Sequence, residues 1–438
     1  MHHSIDLTFT FAGILSLVIF TSSYLLVMAE EFTHLRKSKP VILASGLIWA
    51  IIAIAYSGSP HAEVVEETFR HGLLEYAELA FFLLVAMTYI AALEERNVFN
   101  ALKVWLIKKN FNYRQLFWIT GIIAFFMSPL ADNLTTALVL CAVVMAVGAS
   151  SPKFISMACI NIVVAANAGG AFSPFGDITT LMVWQAGKVD FFTFFQLVVP
   201  SVVNYIIPAV IMSFFVGNDR PSLKVEEVEI KFGGKIMILL GVLTIITAVS
   251  FHNFFHLPPV LGMMTGLSYL LFFGYYIKQF DTSSSENYDV LKNVAHIEWD
   301  TLLFFFGVII AVSGLGMIGY LEMASEFMYT DLGATNANIL VGILSAIVDN
   351  IPVMFAVLSM DPAMPISQWL LATLTAGVGG SMLSIGSAAG VALMGQAKGL
   401  YTFFGHLKWA PVIAIGYFAS IYVHIPVSYT HLTLPTKA

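Results

Sequence analysis

Charged side chains are scarce in this sequence. Only 11% of its 438 residues are Asp, Glu, Lys or Arg, whereas about a quarter are charged in an ordinary soluble domain. A water-soluble protein of this length needs many more charges to cover its surface, so the composition excludes a cytosolic enzyme. The net charge of −7 brings no basic excess, and a nucleic-acid-binding protein, a coiled coil and a disordered chain are excluded as well.

Cysteine is even scarcer than charge. Cys141 and Cys159 are the only two cysteines, and both lie inside apolar runs, so the sequence predicts neither a disulfide framework nor a thiolate metal site. The sequence also contains no H-E-x-x-H motif and no Walker A loop. We therefore expect no enzyme activity and no cofactor, and any transport would be driven by ion gradients.

Hydrophobic residues, in contrast, make up 58% of the chain. Apolar runs that are long enough to cross a bilayer, or nearly so, follow one another along its length. This pattern predicts an all-α polytopic membrane protein, embedded in a lipid bilayer, with about ten to twelve spans and two broken or re-entrant segments. A basic linker over residues 217–235 divides the chain into an N-terminal half (1–216) and a C-terminal half (236–426).

Polar motifs of the first half recur in the second half in the same order. The paired segments are 131–134 with 348–351 (offset 217), 169–176 with 379–386 (offset 210) and 78–82 with 300–304 (offset 222). Their order predicts two repeats of transmembrane helices, each with a re-entrant hairpin and a Gly-rich broken helix. We expect the repeats to be inverted, although a parallel arrangement stays open because the charge pattern does not fix the topology of the second half.

Three carboxylates, Asp132, Asp177 and Asp349, are the main charges that fall within apolar segments. An acid at such a position is costly, which makes a functional site the default interpretation. Removal from water favours the uncharged form of a carboxyl group, so each could hold a proton and exchange it for a cation. The alternative for Asp132 and Asp349 is that they cap new helices, which does not exclude ion binding, and the alternative for Asp177 is that it lies at the membrane edge.

Neutral oxygens near these acids complete the predicted site. Interrupted helices in matching positions of two halves indicate a transporter site, because freed carbonyls and side-chain oxygens can replace the water around a small cation. The further ion-binding candidates are Asn133, Thr135, Thr136, Asn167 and Asn350. The secondary candidates are Ser173, Thr179, Ser384, Ser387, Glu78 and Asp300. Capping remains an alternative role for the Asn and Thr residues, as does an interaction with the helix dipole for Glu78 and Asp300.

Several segments resemble the NhaD-type sodium/proton antiporters. They are residues 28–40, 128–137, 167–177, 298–307 and 349–352, and the resemblance covers nearly the whole chain to about residue 424. It implies membership of the wider ion transporter superfamily, which includes arsenite and dicarboxylate carriers. The superfamily in turn implies two inverted repeats, a homodimer and an elevator-like transport domain.

The resulting hypothesis is a secondary active transporter that exchanges sodium, or lithium, for protons and serves pH homeostasis. It would lie as a multi-pass protein in a bacterial cytoplasmic (inner) membrane, with sodium held at Asp132, Asp177 and Asp349. The alternatives are a sodium-coupled symporter of an organic or inorganic anion and a passive cation channel. Residues 427–438 resemble translated adaptor sequence, so we expect them to be a non-native tail.

Overall fold

Helices account for the regular structure of the chain. The computed structural model describes residues 6–59, 62–109, 111–221, 228–280, 288–295 and 297–432, and no β-strand occurs within them. The helices of the first half are α1 (Phe11–Met28), α2 (Glu30–Thr33), α3 (Ser38–Tyr56), α4 (Ala62–Glu95), α5 (Val98–Lys108), α6 (Tyr113–Ala131), α7 (Asn133–Val147), α8 (Pro152–Gly170), α9 (Ile178–Gln185) and α10 (Val198–Ser213).

The second half is also helical. Its helices are α11 (Gly234–Phe255), α12 (Pro259–Phe280), α13 (Val290–Ala295), α14 (Trp299–Ile318), α15 (Tyr320–Ser325), α16 (Ala334–Ile347), α17 (Asn350–Met360), α18 (Ile366–Gly379), α19 (Ala388–Gln396), α20 (Phe403–Leu407) and α21 (Ala410–Leu432). Of the predicted non-native tail, residues 433–438 lie outside the described residues.

Nine helical segments within the described ranges are long and apolar enough to cross a membrane. They comprise α1, α3, α4, α6, α8, α10 with the 3-10 turn before it, α11, α12 and α14. Four apolar helices are shorter: α7, α16, α17 and the stretch Ala410–Pro426 of α21. The prediction of an all-α, multi-pass membrane protein is confirmed.

The chain forms two compact units, and each sequence half contributes to both of them. The first unit comprises Met1–Arg96, Ile230–Asp331 and Phe355–Pro362, and within it α3 packs on α14 and α11 on α12. The second unit comprises Asn97–Glu229, Leu332–Met354 and Ala363–Ala438. Within the second unit α6 packs on α8, α16 on α18 and α10 on α21. The early part of each half therefore belongs mainly to the first unit, and the late part of each half belongs mainly to the second unit.

Candidate functional site

Four helix breaks lie in the second unit. They separate α6 from α7, α8 from α9, α16 from α17 and α18 from α19. Asp132, Asp177 and Ser387 are the N-caps of α7, α9 and α19, and their side chains accept bonds from the backbone amides of Thr135, Thr179 and Gly390. The capping interpretation is thus confirmed for Asp132, and the same side chains stand at the breaks where ion ligands were predicted.

Glycine allows the helices around these breaks to touch backbone to backbone. A Cβ atom added to Gly169 would lie 2.2 Å from the carbonyl oxygen of Phe125, and one added to Gly379 would lie 2.2 Å from that of Gly342. Both distances are far below an ordinary van der Waals contact. The two contacts are related by the offsets of 210 and 217 residues seen in the sequence.

A pair of serine hydroxyls repeats the same relation. Ser128 Oγ donates to the carbonyl of Ala166 at 2.7 Å, and Ser345 Oγ donates to that of Ala376 at 2.7 Å. Each bond ties the helix before a hairpin break to the broken helix beside it. Neither serine was among the predicted site residues, although the offset of 217 relates them in the sequence.

Asp177 collects donors from both halves of the chain. Its Oδ1 accepts from the backbone amide and the hydroxyl of Thr179, both at 2.9 Å. Asn133 Nδ2 donates to Oδ2 at 2.8 Å, and Asn350 Nδ2 reaches Oδ2 at 3.1 Å and Oδ1 at 3.3 Å. Asp177, Asn133 and Asn350 are all buried. These donors suit the ionised form of the carboxylate, because an ionised carboxylate only accepts hydrogen bonds.

Asn167 extends this network to the second Gly-rich break. Its Oδ1 accepts from Asn133 Nδ2 at 3.2 Å, and its Nδ2 donates to Ser387 Oγ at 3.1 Å and to the Val163 carbonyl at 2.8 Å. Side chains at all four breaks, together with Asn167 near the end of α8, therefore form one connected hydrogen-bond network. Because its members are buried, the loss of one partner leaves another polar group unsatisfied.

Asp132 lies in a strained backbone conformation. Its φ is +54°, a region that a non-glycine residue rarely occupies and that costs about 1–3 kcal/mol. The carboxylate accepts from the amide of Thr135 at 2.8 Å and from its hydroxyl at 2.9 Å, and Asp132 is half-buried. Such strain is typical of functional sites, where the surrounding structure holds an unfavourable geometry in place.

Asp349 is also half-buried, next to Asn350. Its Oδ1 accepts from the backbone amide of Ile351 at 3.4 Å. Asp132 and Asp349 each directly precede an asparagine, Asn133 or Asn350, whose amide donates to Asp177. Carboxylate density of this kind suits a cation.

Two buried hydroxyls at the breaks form no hydrogen bond with any described residue. They are Thr136 Oγ1 on α7 and Ser384 Oγ in the second Gly-rich break. A buried hydroxyl without a partner is costly, so these oxygens are free to coordinate a ligand. Ser173, in contrast, donates to the Pro129 carbonyl at 2.9 Å and supports the first break.

Two secondary candidates, Glu78 and Asp300, belong to the first unit. Asp300 accepts from Ser38 Oγ at 2.5 Å, and Glu78 is half-buried on α4. They are not part of the network around Asp177 that the second unit forms. Within the described ranges, no three His, Cys, Asp or Glu side chains cluster as they would around a transition metal. The site's oxygens, largely amide and hydroxyl groups, instead suit an alkali cation.

Comparisons with known proteins find several transporters that are similar to this chain. The family model described as a citrate transporter matches residues 11–377. The Na(+)/H(+) antiporter NhaD of Vibrio cholerae serotype O1 is 56% identical over 98% of this chain and 95% of that protein. Its namesake from Vibrio parahaemolyticus is 58% identical over 87% of this chain and 98% of its own. Sodium/proton antiporter 1 of Arabidopsis thaliana is 31% identical over 96% of this chain and 73% of its own.

The matches to the antiporters from Vibrio cholerae and Arabidopsis thaliana extend over nearly the whole chain. The resemblance that the sequence motifs indicated is confirmed. The chain therefore belongs to the citrate transporter family that the matching model describes and, within it, to the NhaD family of Na⁺/H⁺ antiporters.

Proposed function

We propose that this chain exchanges Na⁺, or Li⁺, for H⁺ across a membrane, and that the site around Asp177 carries the exchange. The observation that supports this most directly is the position of Asp177, buried between two amides that come from different halves of the chain. Four relatives that are 53–58% identical are named Na(+)/H(+) antiporters. No resident cofactor is needed, because the ions themselves are the substrates.

Competition at Asp177 follows from the hydrogen-bond chemistry of the two amides. Asn133 and Asn350 point their nitrogens at the carboxylate, which suits an anion because an ionised carboxylate only accepts. When a sodium ion or a proton binds to Asp177, the carboxylate no longer needs both amide donors. At least one amide would then turn its oxygen inward, either as a ligand of the ion or as an acceptor of the carboxyl proton. One carboxylate can therefore hold a proton or a cation, and each displaces the other.

The remaining candidates complete the proposed cation site. Asp132 and Asp349 would supply negative charge and exchangeable protons, and Thr135 and Asn167 would position the carboxylate and the amide that they contact. The unpartnered hydroxyls of Thr136 and Ser384 are proposed as ion ligands. Glu78 and Asp300 act in the first unit, outside this ligand set.

The architecture that we propose has two inverted repeats, residues 1–216 and 236–426, joined by the linker 217–235. Each repeat contributes a re-entrant hairpin (α6–α7 or α16–α17) and a broken helix (α8–α9 or α18–α19). The recurrence of the Gly-to-backbone and Ser-to-carbonyl contacts at the same offsets supports a duplication. The second unit is proposed as the transport domain of a homodimer in the bacterial cytoplasmic membrane, in line with the family resemblance.

A sodium-coupled anion symporter is the second candidate function, favoured by the family model that is described as a citrate transporter. Such a carrier needs cationic groups or free amide donors for its substrate, whereas the amide donors at this site are directed at a carboxylate. Proteoliposomes separate the two functions. Exchange predicts Na⁺-induced dequenching of a trapped pH dye and no Na⁺-dependent uptake of citrate, and symport predicts the reverse. Saturable Na⁺ flux that is strictly coupled to protons would exclude a passive channel.

Asparagine variants test the site itself. Asp132→Asn and Asp177→Asn should abolish Na⁺-induced dequenching in everted vesicles, because the amide can neither release a proton nor balance a cation. Asp190→Asn is the matched control, since Asp190 is exposed in the same unit and its side chain caps no helix. Full activity in Asp132→Asn or Asp177→Asn, with normal amounts of folded protein, would contradict the proposal.

A further inference from the structure

The two cysteines, which are the only thiols in a chain of 438 residues, lie side by side. Cys141 on α7 and Cys159 on α8 are fully buried, and their sulfur atoms are 3.9 Å apart. Both are free thiols. The sequence predicted no thiolate metal site, because only two cysteines are present and both lie inside apolar runs.

The position of this pair relative to the ion site is defined by the register of the two helices. Asn133 lies eight residues before Cys141, and Asn167 lies eight residues after Cys159. The two asparagines form a hydrogen bond, as the two thiols can, so α7 and α8 pack antiparallel in one register. At 1.5 Å per residue the thiols lie about 12 Å along the helices from the asparagines.

We propose that Cys141 and Cys159 form a site for a soft divalent cation that takes two ligands, with Hg²⁺ as its representative, and that an ion bound there stops exchange. Thiolates are the protein ligands that soft metals prefer. Two thiolates and one divalent ion form a neutral complex, which an apolar interior accepts far more readily than a net charge. Zn²⁺ is a poor fit because its structural sites use four ligands, and the described residues hold no cluster of three.

The binding step balances without a redox partner. Both S–H bonds break, two S–Hg bonds form and two protons leave, while the oxidation states of sulfur and mercury do not change. A disulfide, in contrast, would need an oxidant and a closer approach of the sulfurs to about 2 Å.

The functional consequence rests on the proposed exchange at Asp177. The bound ion would cross-link α7 to α8 about two helical turns from the hydrogen bond between Asn133 and Asn167. These helices carry Asn133, one of the two amides of which at least one turns when the ligand of Asp177 changes, and the start of the first Gly-rich break. A cross-link at this position would hold α7 and α8 in one relative arrangement and would stop the exchange of Na⁺ for H⁺.

Mercury titration of the purified full chain tests the binding without any transport assay. We expect one Hg²⁺ per chain, the simultaneous loss of both thiols and the release of two protons. Because the chain has only these two cysteines, Cys141→Ser/Cys159→Ser is a thiol-free control, and each single serine variant keeps one ligand. The single variants should need about 100-fold more HgCl₂ for half-occupation, because the second ligand no longer acts at high effective concentration.

Dequenching assays then test the inhibition in the same four proteins. Exchange by the natural chain should stop at one Hg²⁺ per chain, whereas the thiol-free variant should exchange with or without HgCl₂. Two Hg²⁺ bound per chain, or equal sensitivity of the thiol-free variant, would overturn the proposal, and so would full exchange with the site occupied. If the natural chain shows no exchange before mercury is added, the proposed function fails, and the binding titration still decides whether the dithiol site exists.

Discussion

Replacement of Gly379 by alanine probes a close backbone contact between two helices of the second unit. The new Cβ would lie 2.2 Å from the carbonyl oxygen of Gly342, with the carbon atoms of that residue at 2.8 and 2.9 Å. All three are backbone atoms and cannot rotate away. Since ordinary contact begins at 3.4 Å, α16 and α18 would have to separate by roughly 1 Å.

The expected cost follows from two opposing effects. Overpacking of this kind destabilises by about 1–3 kcal/mol, and alanine recovers up to about 1 kcal/mol through its higher helix propensity. The separation would also stretch the bond from Ser345 to Ala376, one turn along α16 and just before the break at Asp349 and Asn350. We therefore expect a lower unfolding temperature in detergent and weaker exchange.

Gly395→Ala is the matched control, because no heavy atom lies within 4 Å of a Cβ placed there in α19. It should leave exchange intact and change stability by no more than the propensity gain of about 1 kcal/mol. Gly169→Ala should behave like Gly379→Ala, since its Cβ meets the Phe125 carbonyl at the same distance. The packing argument would be refuted if Gly379→Ala were as stable and as active as Gly395→Ala.

Three further predictions concern hydrogen bonds that are distributed over the two units. His406 is buried between Tyr401, whose hydroxyl lies 2.7 Å from Nδ1, and the Ser381 carbonyl, 2.9 Å from Nε2. Burial lowers the pKa of His406 to about 4 from 6.5, so only the unfolded chain takes up this proton as the pH falls from 6.5 towards 4, and stability is lost over that range. His406→Gln should weaken the fall in unfolding temperature between pH 7.5 and 5, and an unchanged fall would contradict this. Ser387→Ala removes the acceptor of Asn167 and should raise the Na⁺ concentration for half-maximal exchange, whereas Ser387→Thr should preserve it; equal behaviour of the two variants would count against the network. Ser38→Ala breaks a bond to Asp300 in the first unit and should lower the unfolding temperature at unchanged apparent Na⁺ affinity; a change in that affinity would link Asp300 to the site.

Much of the site was predictable because charge inside an apolar run is so costly. Asp132 and Asp177 stand out in the sequence for this reason, and the repeated Asp-Asn pairs pointed to Asn133 and Asn350 as partners. The contact between Asn350 and Asp177 was not predictable, since 173 residues separate them and only the packing of the second unit brings them together.

The division of each half between the two units and the contact between the two cysteines could not be predicted from the sequence either. The sequence halves are contiguous, but packing follows the apolar faces of individual helices, so each half is divided between both units. Cys141 and Cys159 meet because α7 leads away from the α6–α7 break and α8 runs back antiparallel to it, a register that no local pattern encodes. Interrupted apolar runs also make the spans hard to count from the sequence, because α7, α16 and α17 are apolar but shorter than the nine candidate spans among the described residues.

Proton release on sodium binding tests the central claim most directly. In weakly buffered detergent solution, NaCl added to the purified chain should release protons, and the apparent Na⁺ affinity should rise with pH because the two ions compete for Asp177 and its neighbouring carboxylates. Choline chloride at the same ionic strength should release none, and Asp177→Asn should abolish the release. Sodium binding without proton release, at an affinity that does not change with pH, would contradict the account.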